Sequence, residues 1–272
     1  MPIISLFDFT LSPRAFKSDS NSKHTLLSVD IGSYIANADF EKGSFLSNVL
    51  VGKFSSLAGG IKFMLGYNHN YKSVTTYPFD NPTVKSQLAK MYPDENINYS
   101  FSHKRKARDP RQIIIGNDVW VGNGATIMGG VHIGSGAIIG TNAVVAKNIP
   151  PYAIAVGNPA RVVKYRFDEE TRKKFMLLKW WNWDLRKIYR NVDLMSDTEK
   201  FLSEHYSPKL KNQNVNGGGE FTCSAWQISF GRAPNLQLRR GFSVTHAVME
   251  KSRKRFFVVE LEKFCADNLE RL

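Results

Sequence analysis

The chain has 272 residues, 42% of them hydrophobic, and carries 37 Lys and Arg against 24 Asp and Glu, a formal net charge of +13. A chain of this length can bury a sizeable core in one or two domains. No run approaches about 18 apolar residues, and the N-terminus lacks a basic start before an apolar stretch, so neither a membrane span nor a signal peptide is predicted. Only two cysteines occur, Cys223 and Cys265, which favours a reducing cytoplasmic setting over a disulfide framework or a zinc site.

The positive charge is spread along the chain, with local clusters at residues 104–111 and 251–255. The partner classes of a basic protein are nucleic acid, anionic lipid and phosphorylated ligands. Neither cluster is interleaved with aromatic residues as a base-stacking surface would require. We therefore expect the charge to serve ligand phosphates and solvated surface, with no nucleic-acid partner.

A six-residue repeat organises the first two thirds of the chain. Residues 1–30 are polar and irregular and are expected to form a lead-in. Repeats begin near Ile31 and come into register at Phe45, Val51, Leu57 and Phe63. A proline-containing excursion over residues 64–112 follows. The spacing then resumes through six aliphatic residues, five of which precede a Gly or Ala: Ile115, Val121, Ile127, Ile133, Ile139 and Val145.

This period fits neither an α-helix nor a plain alternating strand. It is typical of very short strands separated by tight turns, in which the repeating side chain points into a narrow interior. The small residue that follows relieves crowding at the bend. We predict a mainly β protein, a parallel β-helix of hexapeptide repeats over residues 31–165. Its ejected loop is expected to be functional, because long loops in compact folds usually are.

Beyond the repeats the pattern becomes helical. Asp168 and the two glutamates after it mark a helix start. An apolar stripe follows and is expected to cap the end of the β-helix: Phe175, Leu178, Trp181 and Leu185. Residues 166–211 are assigned to this helical region. Residues 212–272 form a tail of unknown role, either an appended module or vector-derived sequence after the glycine run.

Four segments together resemble the hexapeptide-repeat acyltransferases, most closely their xenobiotic branch of type B chloramphenicol and streptogramin acetyltransferases. The segments are VGKFSSLA (51–58), NH with TTYPF (68–79), IGNDVWVG (115–122) and NAVV through GNPA (142–160). A departure is Ser55-Ser56, where this branch often has Cys-Ser. The resemblance implies a left-handed β-helix prism that works as a homotrimer. It also implies active sites between subunits, with acetyl-coenzyme A (acetyl-CoA) lying along the prism.

The resemblance implies a catalytic role for His69, which with Asn68 matches the family's Asn-His pair. Acetyl transfer to a hydroxyl needs a base that removes the hydroxyl proton, and imidazole in that role contributes about 10²–10⁴-fold. The alternative for a lone histidine is an exposed loop residue. Because neither cysteine lies in the matched segments and no serine elbow flanks His69, no covalent enzyme intermediate is expected.

Further positions are expected to contact the two substrates. On the acceptor side these are Asn68, Thr76, Tyr77 and Phe79. On the acetyl-CoA side they are Trp120, Ala125, Asn142, Ala143, Lys147, Arg161 and Lys164. Internal packing is the alternative for Trp120, and solvated charge is the alternative for Arg161 and Lys164. No metal is expected, because the histidines are scattered.

The leading hypothesis is an acetyl-CoA-dependent O-acetyltransferase that acts on a hydroxylated antibiotic or a saccharide. Its biological setting would be antibiotic resistance or polysaccharide modification. N-acetylation of an amino sugar is the runner-up. A noncatalytic β-helix that binds or scaffolds a partner is the alternative from a different class, and nucleic-acid binding is the third option.

Overall fold

The computed structural model describes residues 3–6, 11–17, 25–41, 47–65, 72, 74–97 and 112–208. Within those residues the strands are β1 (Ile3–Leu6), β2 (Arg14–Lys17), β3 (Thr25–Val29), β4 (Tyr34–Glu41), β5 (Val49–Val51), β6 (Ser56–Leu57), β7 (Ile61–Met64), β8 (Ile113–Ile115), β9 (Trp120–Val121), β10 (Thr126–Met128), β11 (His132–Ile133), β12 (Ile138–Ile139), β13 (Val144–Val145), β14 (Ala153–Val156) and β15 (Arg161–Tyr165). The helices are α1 (Pro82–Met91), α2 (Glu169–Leu178), α3 (Leu185–Arg190) and α4 (Thr198–His205), with 3₁₀ turns at Trp180–Asn182 and Asp193–Ser196. The predicted tail, residues 212–272, lies outside the described residues.

The short strands stack in parallel, and the chain winds in three-strand coils. Successive coils pair Ile115 with Ile133, Val121 with Ile139, and Ile127 with Val145. Each partner lies three hexapeptides further along the chain, so three hexapeptides complete one coil and the coil has three faces. Face A holds β3, β5, β8 and β11; face B holds the start of β4 with β6, β9, β12 and β14; face C holds the end of β4 with β7, β10 and β13. We name the edges between them AB, BC and CA.

The repeating aliphatic side chains fill the interior, as predicted. All six from Ile115 to Val145 are at most 2% exposed. Glycine follows them because neighbouring coils come very close at that position. A Cβ on Gly122 would lie 2.6 Å from the backbone nitrogen of Thr141 in the next coil. Only a residue without a side chain fits there unless the next coil moves.

The β-helix begins earlier than the sequence analysis predicts. Strand β3 pairs in parallel with β5 on face A, and Leu27 and Val29 are fully buried. Residues 25–30 therefore belong to the first coil and not to a lead-in. Leu27 pairs with Val49, which lies further along the chain than three hexapeptides reach, so this coil carries extra residues that break the repeat. Phe45, where the predicted register begins, lies outside the described residues.

The excursion leaves the register of the coils unchanged. Val51 pairs with Ile115 across the whole excursion, in the alignment that other coils reach after three hexapeptides. The chain leaves the β-helix after Leu65 and returns at Gln112, and both of these residues are buried at edge CA. We call residues 66–111 the insertion. It therefore departs from and returns to one edge of the prism.

The helical region packs along edge AB, not on the end of the β-helix. At this edge three coils place a residue other than glycine in the left-handed conformation, with φ of +56° at Phe54, +54° at Asp118 and +59° at Tyr152. The Phe54 ring centroid lies 5.4 Å from that of Trp180, and the Tyr152 centroid lies 5.7 Å from that of Phe175. These contacts span several coils, so the helices brace the side of the prism.

The predicted apolar stripe is broken at its last member. Helix α2 has Asp168 as its N-cap and ends at Leu178, because Lys179 adopts a left-handed conformation with φ of +45°. Phe175, Leu178 and Trp181 are buried, whereas Leu185 begins a separate helix and is 38% exposed. The helical spacing of the stripe does not continue through the Trp-Trp-Asn turn.

Candidate functional site

Buried amides build the root of the insertion at edge CA. Gln112 Nε2 donates a hydrogen bond to Asn48 Oδ1 at 2.7 Å, and both residues are buried. The backbone N–H of Ile113 donates to the Asn48 carbonyl at 2.9 Å, and that of Gly130 donates to the Gln112 carbonyl at 3.1 Å. These bonds fix the place at which the chain re-enters the β-helix. The sequence analysis did not predict this pair. The available signal was that Asn48 and Gln112 each come one residue before neighbouring strands of face A.

The predicted acceptor-binding residues fall within the insertion. His69 and Asn68 lie outside the described residues, so their predicted roles stay predictions. Tyr77 and Phe79 are 51% and 37% exposed, and their ring centroids lie 4.9 Å apart in an edge-to-face arrangement. Thr76 is exposed as well, and next to it the Thr75 hydroxyl accepts a hydrogen bond from the Tyr77 N–H at 3.0 Å. The structure therefore brings together an exposed aromatic pair that a ligand can stack against.

The predicted acetyl-CoA contacts do not converge within one chain. Trp120 projects from face B and is 55% exposed, and Lys164 lies on the same sheet at β15. Arg161 is exposed at the start of that strand. Asn142 is at edge BC with φ of +56°, and Lys147 is exposed between β13 and face A, at edge CA.

Two of the predicted acetyl-CoA contacts are wrong as side-chain contacts. Ala125 and Ala143 are fully buried in the core. Each precedes a repeating aliphatic residue by two positions, and alternate residues of an extended chain point to the same side. The backbone of Ala143 is also engaged, since its N–H donates to Gly140 and its carbonyl accepts from Thr126.

Ionisable groups with shifted pKa values cluster at edge AB. Burial raises the pKa of Asp118, and the nearby Arg166 guanidinium opposes that rise. Burial also raises the pKa of Tyr152, with the Asp118 charge adding to the effect. Asp118 and Arg166 form an ion pair at 2.8 Å, and the Tyr152 ring lies beside the Arg166 guanidinium.

The described part of the chain offers neither a metal centre nor a membrane-spanning helix. No group of three or more His, Cys, Asp or Glu residues in it is arranged to hold a metal ion. None of its helices is long and apolar enough to cross a bilayer.

Comparison with known proteins identifies the family. A family profile described as bacterial transferase hexapeptide (six repeats) matches residues 112–147. A probable macrolide acetyltransferase from Lysinibacillus sphaericus is 35% identical over 178 residues, which are 62% of this chain and 87% of that protein. The chain belongs to the hexapeptide-repeat acyltransferases, in their xenobiotic acetyltransferase branch. Its parallel coils fit the mainly β, left-handed β-helix expected for that family.

A second relative agrees with this placement over a shorter length. A chloramphenicol acetyltransferase from Klebsiella aerogenes is 34% identical over 53% of this chain and 63% of its own length. The present chain therefore spans less than two thirds of the length of that relative. Among solved structures, a polysialic acid O-acetyltransferase matches at 21% identity over 52% of this chain and 54% of its own, with a TM-score of 0.35.

The departure from the branch at Ser55 has a structural counterpart. Ser55 is fully buried at edge AB. Its hydroxyl donates to the Gly116 carbonyl at 3.0 Å and accepts from the Val119 N–H at 3.1 Å. The Ser55 hydroxyl therefore joins two coils at an edge other than the one that carries the insertion. Serine in place of the cysteine common in this branch thus affects the stability of the β-helix.

Proposed function

We propose that the chain transfers an acetyl group from acetyl-CoA to a hydroxyl of a small acceptor, with His69 as the general base. The observation that carries the proposal is the 35% identity to a probable macrolide acetyltransferase over 87% of that protein. The acceptor proposed first is a hydroxylated antibiotic, because curated relatives are named for such drugs. A saccharide is the second acceptor class.

His69 suits the role of base by its chemistry and by its place in the chain. A neutral imidazole can take the hydroxyl proton near pH 7, as the acceptor oxygen attacks the acyl carbon. His69 follows closely after Leu65, which is buried at edge CA. The stretch of chain between them spans at most about 14 Å, which ties the base to the root of the insertion.

The exposed rings of Tyr77 and Phe79 are proposed to hold the acceptor. Both belong to the insertion that carries His69, and they present an apolar surface beside the exposed Thr76. Aromatic rings bind flat apolar surfaces, including those of sugars and polyketide-like rings, while a hydroxyl such as that of Thr76 fixes orientation. Loss of either ring would then weaken acceptor binding more than turnover.

The exposed groups of the β-helix fit acetyl-CoA, which when bound supplies an acyl group already activated as a thioester. Lys147 and Lys164 are exposed and form no ion pair within the described residues, so their ammonium groups are available to phosphates. Arg161 is exposed on the same strand as Lys164. Trp120 offers a flat apolar face, and Asn142 offers a side-chain amide at edge BC.

We further propose a cytoplasmic homotrimer whose sites are completed by neighbouring subunits. The dispersal of Trp120, Asn142 and Lys147 over a face and two edges supports this, because a neighbour can bring distant surfaces together. The proposed organisation is a β-helix up to residue 165, which carries the insertion as an ejected loop, followed by a helical region over 166–211.

The test is thiol release from acetyl-CoA with the full chain and a panel of hydroxylated antibiotics, saccharides and amino sugars. Replacing His69 with alanine should lower kcat/KM by about 10²–10⁴-fold, since the base is lost. A matched control is His103→Ala, a second histidine of the insertion, which should stay near the wild-type rate. Coenzyme A affinity, measured by calorimetry, should be unchanged in both variants.

Three other outcomes would redirect the proposal. Turnover only with amino sugars would make the chain an N-acetyltransferase. A rate in His69→Ala within about ten-fold of wild type would remove His69 as the base. A chain that neither turns over nor binds coenzyme A would be a noncatalytic β-helix.

A further inference from the structure

A pocket of about 260 Å³ lies at edge AB, between the β-helix and the helical region. Aromatic rings form most of its wall: Tyr152, Phe167, Phe175, Trp180 and Phe201. Within one chain this is a different edge from CA, at which the insertion leaves. None of the residues assigned to acetyl transfer lines the pocket.

An ion pair provides the polar part of the pocket. Arg166 Nη1 donates to Asp118 Oδ2 at 2.8 Å and to the Gly136 carbonyl at 2.9 Å. The guanidinium also lies 5.5 Å from the centroid of Tyr152 and 5.3 Å from that of Phe167, so contacts on several sides hold it in place. The pair is thus pre-organised before any ligand arrives.

Part of the hydrogen-bonding capacity of this pair is unused. Both side chains are 28% exposed. Within the described residues Asp118 Oδ1 has no hydrogen-bond partner, and Arg166 donates only through Nη1. A guanidinium has five N–H donors and a carboxylate has two acceptor oxygens, so N–H donors of Arg166 and one acceptor oxygen of Asp118 remain unused, and both residues line the pocket.

The charge and the walls define what fits. The two charges neutralise each other at 2.8 Å, so the pocket does not favour a charged ligand. Aromatic walls favour a planar ring by stacking or edge contact. A cavity of roughly 150 Å³ accepts benzene, so 260 Å³ leaves room for a ring with a polar substituent.

We propose that the pocket at edge AB binds a small neutral aromatic molecule that carries an amide-like group. The N–H of that group donates to Asp118 Oδ1, and its carbonyl accepts from Arg166. The ring lies among the aromatic side chains, with Trp180 and Phe175 on its flanks. The inference is independent of the proposed acetyl transfer.

Calorimetry with benzamide and acetophenone on the full chain tests the inference. The two probes have the same shape, but acetophenone has a methyl group in place of the NH₂ donor. Benzamide should bind saturably and about ten-fold more tightly, the usual effect of a hydrogen bond to a charged group. The matched variant is Asp118→Asn, which turns the free acceptor into a donor and suits the left-handed backbone at this position. In that variant the preference for benzamide should disappear.

Each alternative result overturns the inference. Equal affinity for the two probes, or no saturation below about 10 mM, would mean that the pocket holds only water. A preference that persists in Asp118→Asn would place benzamide elsewhere. Should the variant not fold, a crystal soaked in benzamide decides the matter. Density between Trp180 and Arg166 supports the site, and density elsewhere or none refutes it.

Discussion

Replacing Ser55 with alanine should destabilise the β-helix more than any exposed serine substitution would. The hydroxyl is fully buried and holds two backbone groups of the next coil, the Gly116 carbonyl at 3.0 Å and the Val119 N–H at 3.1 Å. Alanine leaves both groups buried without that partner. Each unpaired group costs about 1–3 kcal/mol, and partial relaxation brings the expected loss to about 2–4 kcal/mol.

The assay is urea unfolding at a fixed protein concentration, followed by far-ultraviolet circular dichroism. The matched control is Ser56→Ala, because Ser56 is the next residue on the outward side of β6 and is only partly buried. That variant should stay within about 0.5 kcal/mol of wild type. If Ser55→Ala also falls within this range, the hydroxyl does not join the coils and the account of edge AB is wrong.

Two further perturbations probe the coil contacts and the helical region. Gly122→Ala should lower the free energy of unfolding in urea by about 1–3 kcal/mol, because the new Cβ would lie 2.6 Å from the backbone of the next coil. The control is Gly59→Ala, which should cost clearly less, because the nearest atom to its Cβ is an amide side chain at 3.3 Å. Equal losses in the two variants would refute the crowding argument. Burial lowers the pKa of His205 below 6.5, so the protein should lose stability as the pH falls below 6.5, where the unfolded chain binds the proton more readily. An NMR titration of the His205 ring that gave a pKa at or above 6.5 would contradict this.

The repetitive part of the fold could be predicted because an aliphatic side chain recurs at the same inward position of every hexapeptide. Ile127 and Val145 show the principle, since each is fully buried at its predicted position. The first coil could not be predicted because Leu27 reaches its partner Val49 only after a longer stretch of chain, and one irregular coil carries no visible period. The sequence pattern predicts the helical region, but contacts of Phe54 and Tyr152 decide where it packs.

The candidate site was less predictable than the fold. Small size favours Ala125 and Ala143 as neighbours of the cofactor, although their two-residue offset from Ile127 and Val145 already points them inward. The Asn48–Gln112 amide pair depends on residues at opposite ends of the insertion, and no local pattern indicates such a contact. The assignment of His69 rests on resemblance alone, and its role stays a prediction.

Because the strand register is the same on either side of the insertion, the β-helix and the insertion can change independently during evolution. Closing a chain segment costs an entropy that grows only with the logarithm of its length, so lengthening the connection between paired strands more than threefold costs about 1 kcal/mol. Mutations that lengthen, shorten or replace the insertion therefore need not disturb the coils that carry it. Evolution can therefore replace the insertion as a unit, while selection on the β-helix continues independently.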